Sequence, residues 1–463
     1  MSLDLSGARA AGADEREQVD KALDARAMAG YLEVAFPSAP TAPRAACRVV
    51  DAKYEPGARC TILYQLGDRL VLGTLRWDRD LEAADQGRRI EELGMTAYEF
   101  PHDPSIAGLA PCMEPGAMDR VLAEILPECR EEATVPLRTR VTPLRYRPGR
   151  RCTLRVDARL RDVGTGEVRA RTLYAKLYHD VGKAASVFEE MRSLHADRSL
   201  RSSGCMVAEP VAFVADLGLI LQEPLQGVPL DELLRGRPAT SAGDAPIVVR
   251  AAEALGALHS AEVGSERTRP VPAALERMAG WARAIEAFDG AMGGALSQVT
   301  HALVGSLPLL DEWGAERTLV HGDCKPSQFL IDGTDVGLLD FDHCGMADPA
   351  SDVGNFMATL RQHALRHELK PRAVRVAPGR GERLRDLEEV FLGAYPAGAG
   401  GRGGMQKRAR WYEAAALSRK AYRSWQRSLR SPLPIALLQE ARDCLSSVVT
   451  PHSYVDHQRV GTG

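Results

Sequence analysis

Apolar positions recur at helical spacing over residues 15–35, EREQVDKALDARAMAGYLEVA, and predict one surface helix that Pro37, Pro40 and Pro43 end. From Cys47 the pattern changes to short apolar and β-branched runs separated by turn residues. CRVVDAKYEPGARCTILYQLGDRLVLGTLRW reads as strands, with a helix to follow from Asp78 to Leu93. Residues 94–140 bridge to a second strand-rich stretch and hold a Pro-rich loop and a helix near Gly116–Ile125. Met206–Val214 and Leu217–Glu223 read as two more strands. Helical periodicity then dominates, in Val248–His259, in a less regular stretch over Pro272–Leu303, and in Met405–Leu429. Residues 1–14 read as a disordered leader, 365–386 as an exposed basic loop, 395–404 (YPAGAGGRGG) as a flexible linker, and the tail after Pro451 as irregular.

The strand-rich text occurs twice. Lys53-Tyr54-Glu55-Pro56-Gly57-Ala58-Arg59-Cys60-Thr61-Ile62 aligns with Arg145-Tyr146-Arg147-Pro148-Gly149-Arg150-Arg151-Cys152-Thr153-Leu154, 92 residues further on. The match extends in pattern from Leu70–Leu75 to Thr172–Leu177. Each copy reads strand, Pro-Gly turn, strand, loop, strand, helix, the Pro fixing the first corner and the Gly tolerating positive φ. A recurring hairpin type without common origin is the alternative. The second copy carries Lys176 mid-strand between apolar neighbours, where the first has Thr74. Eight lysines stand against fifty-one arginines in this chain, so an ammonium in an apolar strand asks for a reason.

Residues 319–356, LVHGDCKPSQFLIDGTDVGLLDFDHCGMADPASDVGNF, concentrate the acids. His321-Gly322-Asp323 opens a loop that runs into Phe329-Leu330-Ile331; a turn, Asp332–Asp335, and a second apolar run, Val336–Leu339, deliver Asp340-Phe341-Asp342. A hairpin brings its ends together, so Asp323, Gln328, Asp340 and Asp342 converge. Clustered carboxylates repel one another unless they share a cation, and hard oxygen ligands of this kind suit Mg²⁺ carried with a phosphate substrate.

At 463 residues the chain is long enough for two or three domains. Its net charge of −3 gives no broad basic face for nucleic acid. Nine cysteines without a C-x-x-C pair read as reduced thiols in a cytoplasmic protein. The N-terminus lacks the apolar core of a signal peptide, and no run approaches the ~18 apolar residues of a membrane span.

The loop His321-Gly322-Asp323-Cys324-Lys325-Pro326-Ser327-Gln328 resembles the H-x-D-x-x-x-x-N catalytic loop of the aminoglycoside phosphotransferase and choline kinase family, distant relatives of protein kinases. The resemblance covers roughly residues 140–430 and implies an α+β, two-lobed, protein-kinase-like fold. It would have a small antiparallel-sheet lobe (140–225) and a large, mostly helical lobe (226–450). Before them come a leader with a helix (1–44) and an N-terminal α+β module that looks like a degenerate small lobe (45–139); a tail (451–463) follows. The implied activity is transfer of the γ-phosphoryl of ATP, or another nucleoside triphosphate, to a hydroxyl of a small molecule. The resemblance implies Asp323 as base or orienter for that hydroxyl, with Gln328, Asp340 and Asp342 toward Mg²⁺. Lys176 would grip the phosphates, paired with Glu189 or Glu190. Gly149 would sit in the turn over the phosphates, and Glu223 and Leu225 in the hinge that binds adenine. His321 and Asp352 would brace the loop. Gln328 departs from the usual Asn, as in the maltokinase branch, so a maltokinase-like sugar kinase and a pseudokinase that binds nucleotide or a partner without turnover both stay open. The acceptor and the oligomeric state are not specified; no nucleic-acid or membrane partner is implied.

Overall fold

The computed structural model describes residues 8–37, 45–77, 86–131, 133–236, 243–370, 379–396 and 401–449. The chain divides into two compact units, Met1–Phe188 with Glu209–Pro224, and Glu189–Ala208 with Leu225–Gly463.

The first unit opens with two helices, α1 (Ala8–Leu23) and α2 (Ala25–Ala35), where one was expected. Asp24 separates them, its carboxylate accepting the N–H groups of Arg26 and Ala27 to start α2. α1 begins inside the stretch read as a disordered leader; residues 1–7 lie outside the described residues. An antiparallel sheet follows from β1 (Cys47–Glu55), β2 (Arg59–Leu66), β3 (Arg69–Arg76), β4 (Arg88–Ile90) and β5 (Met95–Glu99), in the order β1-β2-β3-β5-β4. The helix expected over Asp78–Leu93 is not found at 88–93. β4 and a 3₁₀ turn stand there, and Gly94 at φ 60° folds the chain back into β5. Residues 78–85 of that stretch lie outside the described residues.

Three short helices come next, α3 (Leu109–Met113), α4 (Ala117–Ile125) and α5 (Pro127–Arg130), then β6 (Thr134–Arg147), β7 (Arg151–Asp162) and β8 (Val168–Tyr178). α6 (Val181–Ala196) runs from the first unit into the second, where α7 (Arg198–Ser202) and β9 (Cys205–Val207) follow. The chain returns to the first unit for β10 (Pro210–Val214) and β11 (Leu219–Gln222), so Met206–Val214 is two strands and not one. The second sheet runs β6-β7-β8-β11-β10. One of its faces is covered by the short helices: Leu109, Met118, Leu122 and Leu126 pack with Leu154, Leu173, Leu177 and Leu219, all nearly inaccessible to solvent.

The two sheets share more than strand order. Tyr54 faces Cys60 and Lys53 faces Thr61 across the first hairpin; Tyr146 faces Cys152 and Arg145 faces Thr153 across the second. One strand further, Thr61 pairs Thr74 and Thr153 pairs Lys176, so the register puts Thr74 where the second sheet has Lys176. Each Pro-Gly turn is held by a carboxylate from outside its hairpin. Gly57 N–H donates to Glu15 at 2.8 Å, and Gly149 N–H donates to Asp103 at 2.7 Å. Tyr54 bonds to Glu15, and Tyr146 O–H donates to the same Asp103 oxygen at 2.8 Å. Both glycines sit at positive φ, 71° and 66°, which a side chain would strain.

The second unit is mostly helical. β12 (Val228–Pro229), α8 (Leu230–Gly236), α9 (Ala245–Ser260), α10 (Val271–Glu286), α11 (Gly290–Gly305) and α12 (Leu309–Glu312) lead to β13 (Thr318–Val320). The less regular stretch over 272–303 is thus two helices. Asp289 stands between them and caps α11 by accepting Met292 N–H at 3.0 Å. β14 (Phe329–Asp332) and β15 (Asp335–Leu338) form the hairpin read from the sequence, closed by Asp332 opposite Asp335. β16 (Gly345–Ala347) pairs with β13, and α13 (Ala350–Glu368), α14 (Arg380–Ala394), α15 (Gly401–Arg427) and α16 (Leu433–Ser446) complete the unit.

The loop expected over 365–386 is replaced at both ends by helix, α13 to Glu368 and α14 from Arg380; residues 371–378 lie outside the described residues. The linker expected over 395–404 is likewise shortened. Tyr395 is buried and α15 starts at Gly401, leaving 397–400 undescribed. The tail after Pro451 also lies outside the described residues. Among those described, all nine cysteines are free and no helix is long and apolar enough to cross a membrane.

Candidate active site

Gly322 sets the shape of the loop between β13 and β14. Its φ is 76°, and a Cβ there would lie 1.9 Å from the carbonyl oxygen of His343. Only glycine passes that point. On either side the backbone is clamped by Asp352, in the first turn of α13 and 1% exposed. One of its oxygens accepts His321 N–H at 2.6 Å and the other accepts Gly322 N–H at 2.8 Å. His259 Nε2 donates to the first oxygen at 3.1 Å, and its Nδ1 accepts the Tyr395 hydroxyl at 2.7 Å. Burial pushes the Asp352 pKa up; the bonds from His259 and the loop outweigh it and hold the carboxyl below its usual range.

His321 is fully buried. Its Nδ1 accepts Asp323 N–H at 3.3 Å, so Nε2 carries the proton and donates to Leu339 O at 2.8 Å. That second bond ties the Asp323 loop to the residue before Asp340. Asn355, one turn into α13, donates to Cys324 O at 2.6 Å. Three side chains, Asp352 and Asn355 of α13 and His321 of the loop itself, therefore fix the backbone on both sides of Asp323.

Asp323 forms an ion pair with Lys325, both 18% exposed. Burial raises the Asp323 pKa, but Lys325 overrides it and keeps the carboxylate ionised far below the ordinary range. At the far end of the hairpin Asp340 adopts φ 70° and ψ 64°, a left-handed conformation that costs a non-glycine residue of order 1–3 kcal/mol. Gln328 ends a 3₁₀ turn, is 5% exposed, and its amide donates to Asp340 at 3.3 Å. Gln328 and Asp340 are thus brought together. Asp342 sits in the next turn, buried, and its carbonyl accepts Arg267 at 3.1 Å.

Among the described residues no three His, Cys, Asp or Glu side chains gather as for a metal held by protein alone. One carboxylate and one amide oxygen are the hard donors that Mg²⁺ accepts when phosphate and water complete its shell, so Asp340 and Gln328 fit that ion.

The remaining candidates are placed as follows. Lys176 lies on β8, the middle strand of its sheet, half-buried, with its ammonium 6.0 Å from the Tyr178 ring centroid. Glu189 is exposed and paired with Arg192, whereas Glu190 is buried and held by Arg267 and Ser265. Arg267 also donates to Phe341 O at 3.2 Å, linking α6 to the Asp340 turn. Gly149 does not offer its N–H as a phosphate donor, since Asp103 takes it. Glu223 forms an ion pair with Arg171, its N–H donates to Glu209 O at 2.9 Å, and Leu225 packs against Gly337 of β15.

Sequence reasoning missed Lys325, Asn355, Tyr395 and Lys420, and it reads the arginines of Met405–Leu429, Arg419 among them, mostly as a solvated face, with contact to an anionic substrate as the alternative. The scarcity of lysine was the available signal for Lys325 and Lys420. Tyr395 lay in a stretch whose glycines read as linker.

Residues 153–387 match the model of the Phosphotransferase enzyme family. The chain belongs to that family. The family is one of phosphotransferase enzymes. Similar solved structures include the choline kinase LicA from Streptococcus pneumoniae, 13% identical, covering 71% of this chain and 98% of its own with a TM-score of 0.42. Choline kinase from Cryptosporidium parvum Iowa II is 12% identical over 73% of this chain and 96% of its own, with a TM-score of 0.46. A thermostable mutant of aminoglycoside phosphotransferase APH(4)-Ia is 16% identical over 72% and 99%, with a TM-score of 0.43. No curated protein matches the chain.

Proposed function

We propose that this phosphotransferase moves the γ-phosphoryl group of ATP, or of another nucleoside triphosphate, to a hydroxyl of a small molecule at Asp323. The observation that carries the reading is the clamped loop: Asp352, His321 and Asn355 fix the backbone around an ionised Asp323, with Gln328 and Asp340 joined at the end of the same hairpin. An ionised carboxylate accepts the acceptor's O–H and points its oxygen for attack. Lys325 beside it keeps the Asp323 carboxylate ionised and able to accept the O–H as base or orienter. Phosphoryl transfer depends on positioning and charge neutralisation more than on covalent chemistry, which fits that role. Mg²⁺, when bound, would neutralise phosphate charge, and Gln328 and Asp340 would hold it. Lys176 is assigned to the phosphates.

The test is ATP turnover over a panel of hydroxylated metabolites and aminoglycosides, with Mg²⁺ titrated for the native chain, Gln328→Ala and Gln328→Asn. The alanine variant should need more Mg²⁺ for half-maximal turnover and for nucleotide binding, and the asparagine variant should be milder. Superimposable Mg²⁺ curves for all three would remove Gln328 from the metal.

A further inference from the structure

α13 and α15 pack side by side, and their seam starts at the catalytic loop. Asn355, which donates to Cys324 O, accepts Arg419 at 3.0 Å, and Thr359, one turn along α13, accepts Lys420 at 2.8 Å. Both cations are only partly exposed, and the bonds they make are to neutral groups, an amide and a hydroxyl. The largest charge effect on each is of the same sign, that of Arg423 on Arg419 and of Arg419 on Lys420. Arg269, Lys325 and Arg423 stand nearby, against the carboxylates Asp323 and Asp352. Asp323 is already paired with Lys325, and Asp352 already accepts two backbone N–H groups and His259. Arg419 and Lys420 thus stand side by side, and the two carboxylates acting on them are already engaged. Further along the seam Arg366, Lys420, Arg235 and Arg380 act on His363.

This arrangement costs free energy as it stands. Burial, then the neighbouring Arg423, brings the Arg419 pKa down to about 10. Burial and Arg419 push that of Lys420 well below the usual lysine range. His363 falls to about 4 through burial and Arg366. Desolvated charges of one sign are destabilising unless an opposite charge joins them, and such groups beside a catalytic carboxylate mark a binding site. An acceptor bearing an ammonium group would meet this field as repulsion.

We infer that the acceptor is an anion: a hydroxylated small molecule carrying a carboxylate, phosphate or sulfonate group, which Arg419 and Lys420 bind while its hydroxyl lies at Asp323. The inference rests on the phosphotransferase reading for the role of the site, but the binding claim can be tested without turnover.

In the first arm, gluconate and glucose 6-phosphate are compared with glucose, ethanolamine and choline as ligands of the full chain by calorimetric titration, without nucleotide. At least one anion should bind the native chain and Lys176→Met alike, and should lose about tenfold to a hundredfold in affinity in Arg419→Gln/Lys420→Gln, the range for losing charge-assisted hydrogen bonds. In the second arm, ATP turnover with the same compounds should favour an anion, and the double variant should raise its KM by a similar factor with the ATP KM unchanged. Far-UV circular dichroism and melting establish that the variant is folded. Binding of choline or ethanolamine in preference to both anions, no anion binding at all, or anion binding equal in native and double variant would each overturn the inference. Anion binding lost in the double variant, with no turnover of any compound, would keep the anion site and remove the phosphotransferase assignment instead.

Discussion

Asp352 illustrates how one side chain carries a loop. Two oxygens accept three hydrogen bonds, so Asp352→Asn must turn an amide N–H toward one of the donors and leave it unsatisfied. The expected loss is about 1.5–3 kcal/mol by urea denaturation, the range for a hydrogen bond to a buried charge. Its folded pKa is depressed, so the carboxylate's contribution is present above the unfolded value and lost as pH falls through the folded one. The stability gap between native chain and Asp352→Asn should therefore be full at pH 7 and close in the acid limb; a constant gap would contradict the ionised clamp. Lys420 has the opposite sign. A base with a lowered folded pKa burdens the folded state wherever it is charged, and the burden lifts as pH rises toward the free lysine value. Lys420→Met, although it gives up the bond to Thr359, should match or exceed the native melting temperature at pH 7, and the difference should shrink toward pH 10.

At the scale of elements, α13, α14, α15 and α16 are joined by buried charge. Arg361 of α13 reaches Glu388 of α14, Glu413 of α15 and Glu440 of α16, and both Glu388 and Glu413 are fully buried. Burial and then Glu413 raise the Glu388 pKa; burial lowers that of Arg361, but Glu413 and Glu388 outweigh it and raise it. Arg361→Met takes the charge partner from buried Glu388, while Glu413 keeps Arg410, and should cost about 3–5 kcal/mol in denaturant unfolding. A loss below 1 kcal/mol would mean the helices are held by packing alone. This network also explains why α14 was illegible. RGERLRDLEEVFLGA alternates charges that read as solvated, yet Arg383 and Glu388 are buried with partners on other helices. A single sequence does not reveal such partners. The β14–β15 hairpin and the repeated Pro-Gly turn were legible because their signals are local: apolar runs closed by turn residues, and identical text at a fixed offset. The approach of Gln328 to Asp340 was legible for the same reason. Lys420 and Tyr395 were not, since they reach the loop only through the packing of α15 and α9.

Over the whole molecule, two sheets of the same order and register stand in one unit, and the register sets Thr74 against Lys176. If only the second sheet serves nucleotide, Lys176→Met should weaken ATP binding while Thr74→Met leaves it unchanged, measured by titration with folding verified. Equal losses would give the first sheet a share in the site. On the proposed function, Asp323 orients an acceptor hydroxyl for phosphoryl transfer. The most direct measurement follows the label from γ-³²P-ATP into the acceptor, for the native chain and Asp323→Asn. The account predicts a label transfer rate lower by about 10²–10⁴ in the variant, with ATP binding nearly unchanged; label transfer at the native rate by Asp323→Asn would contradict it.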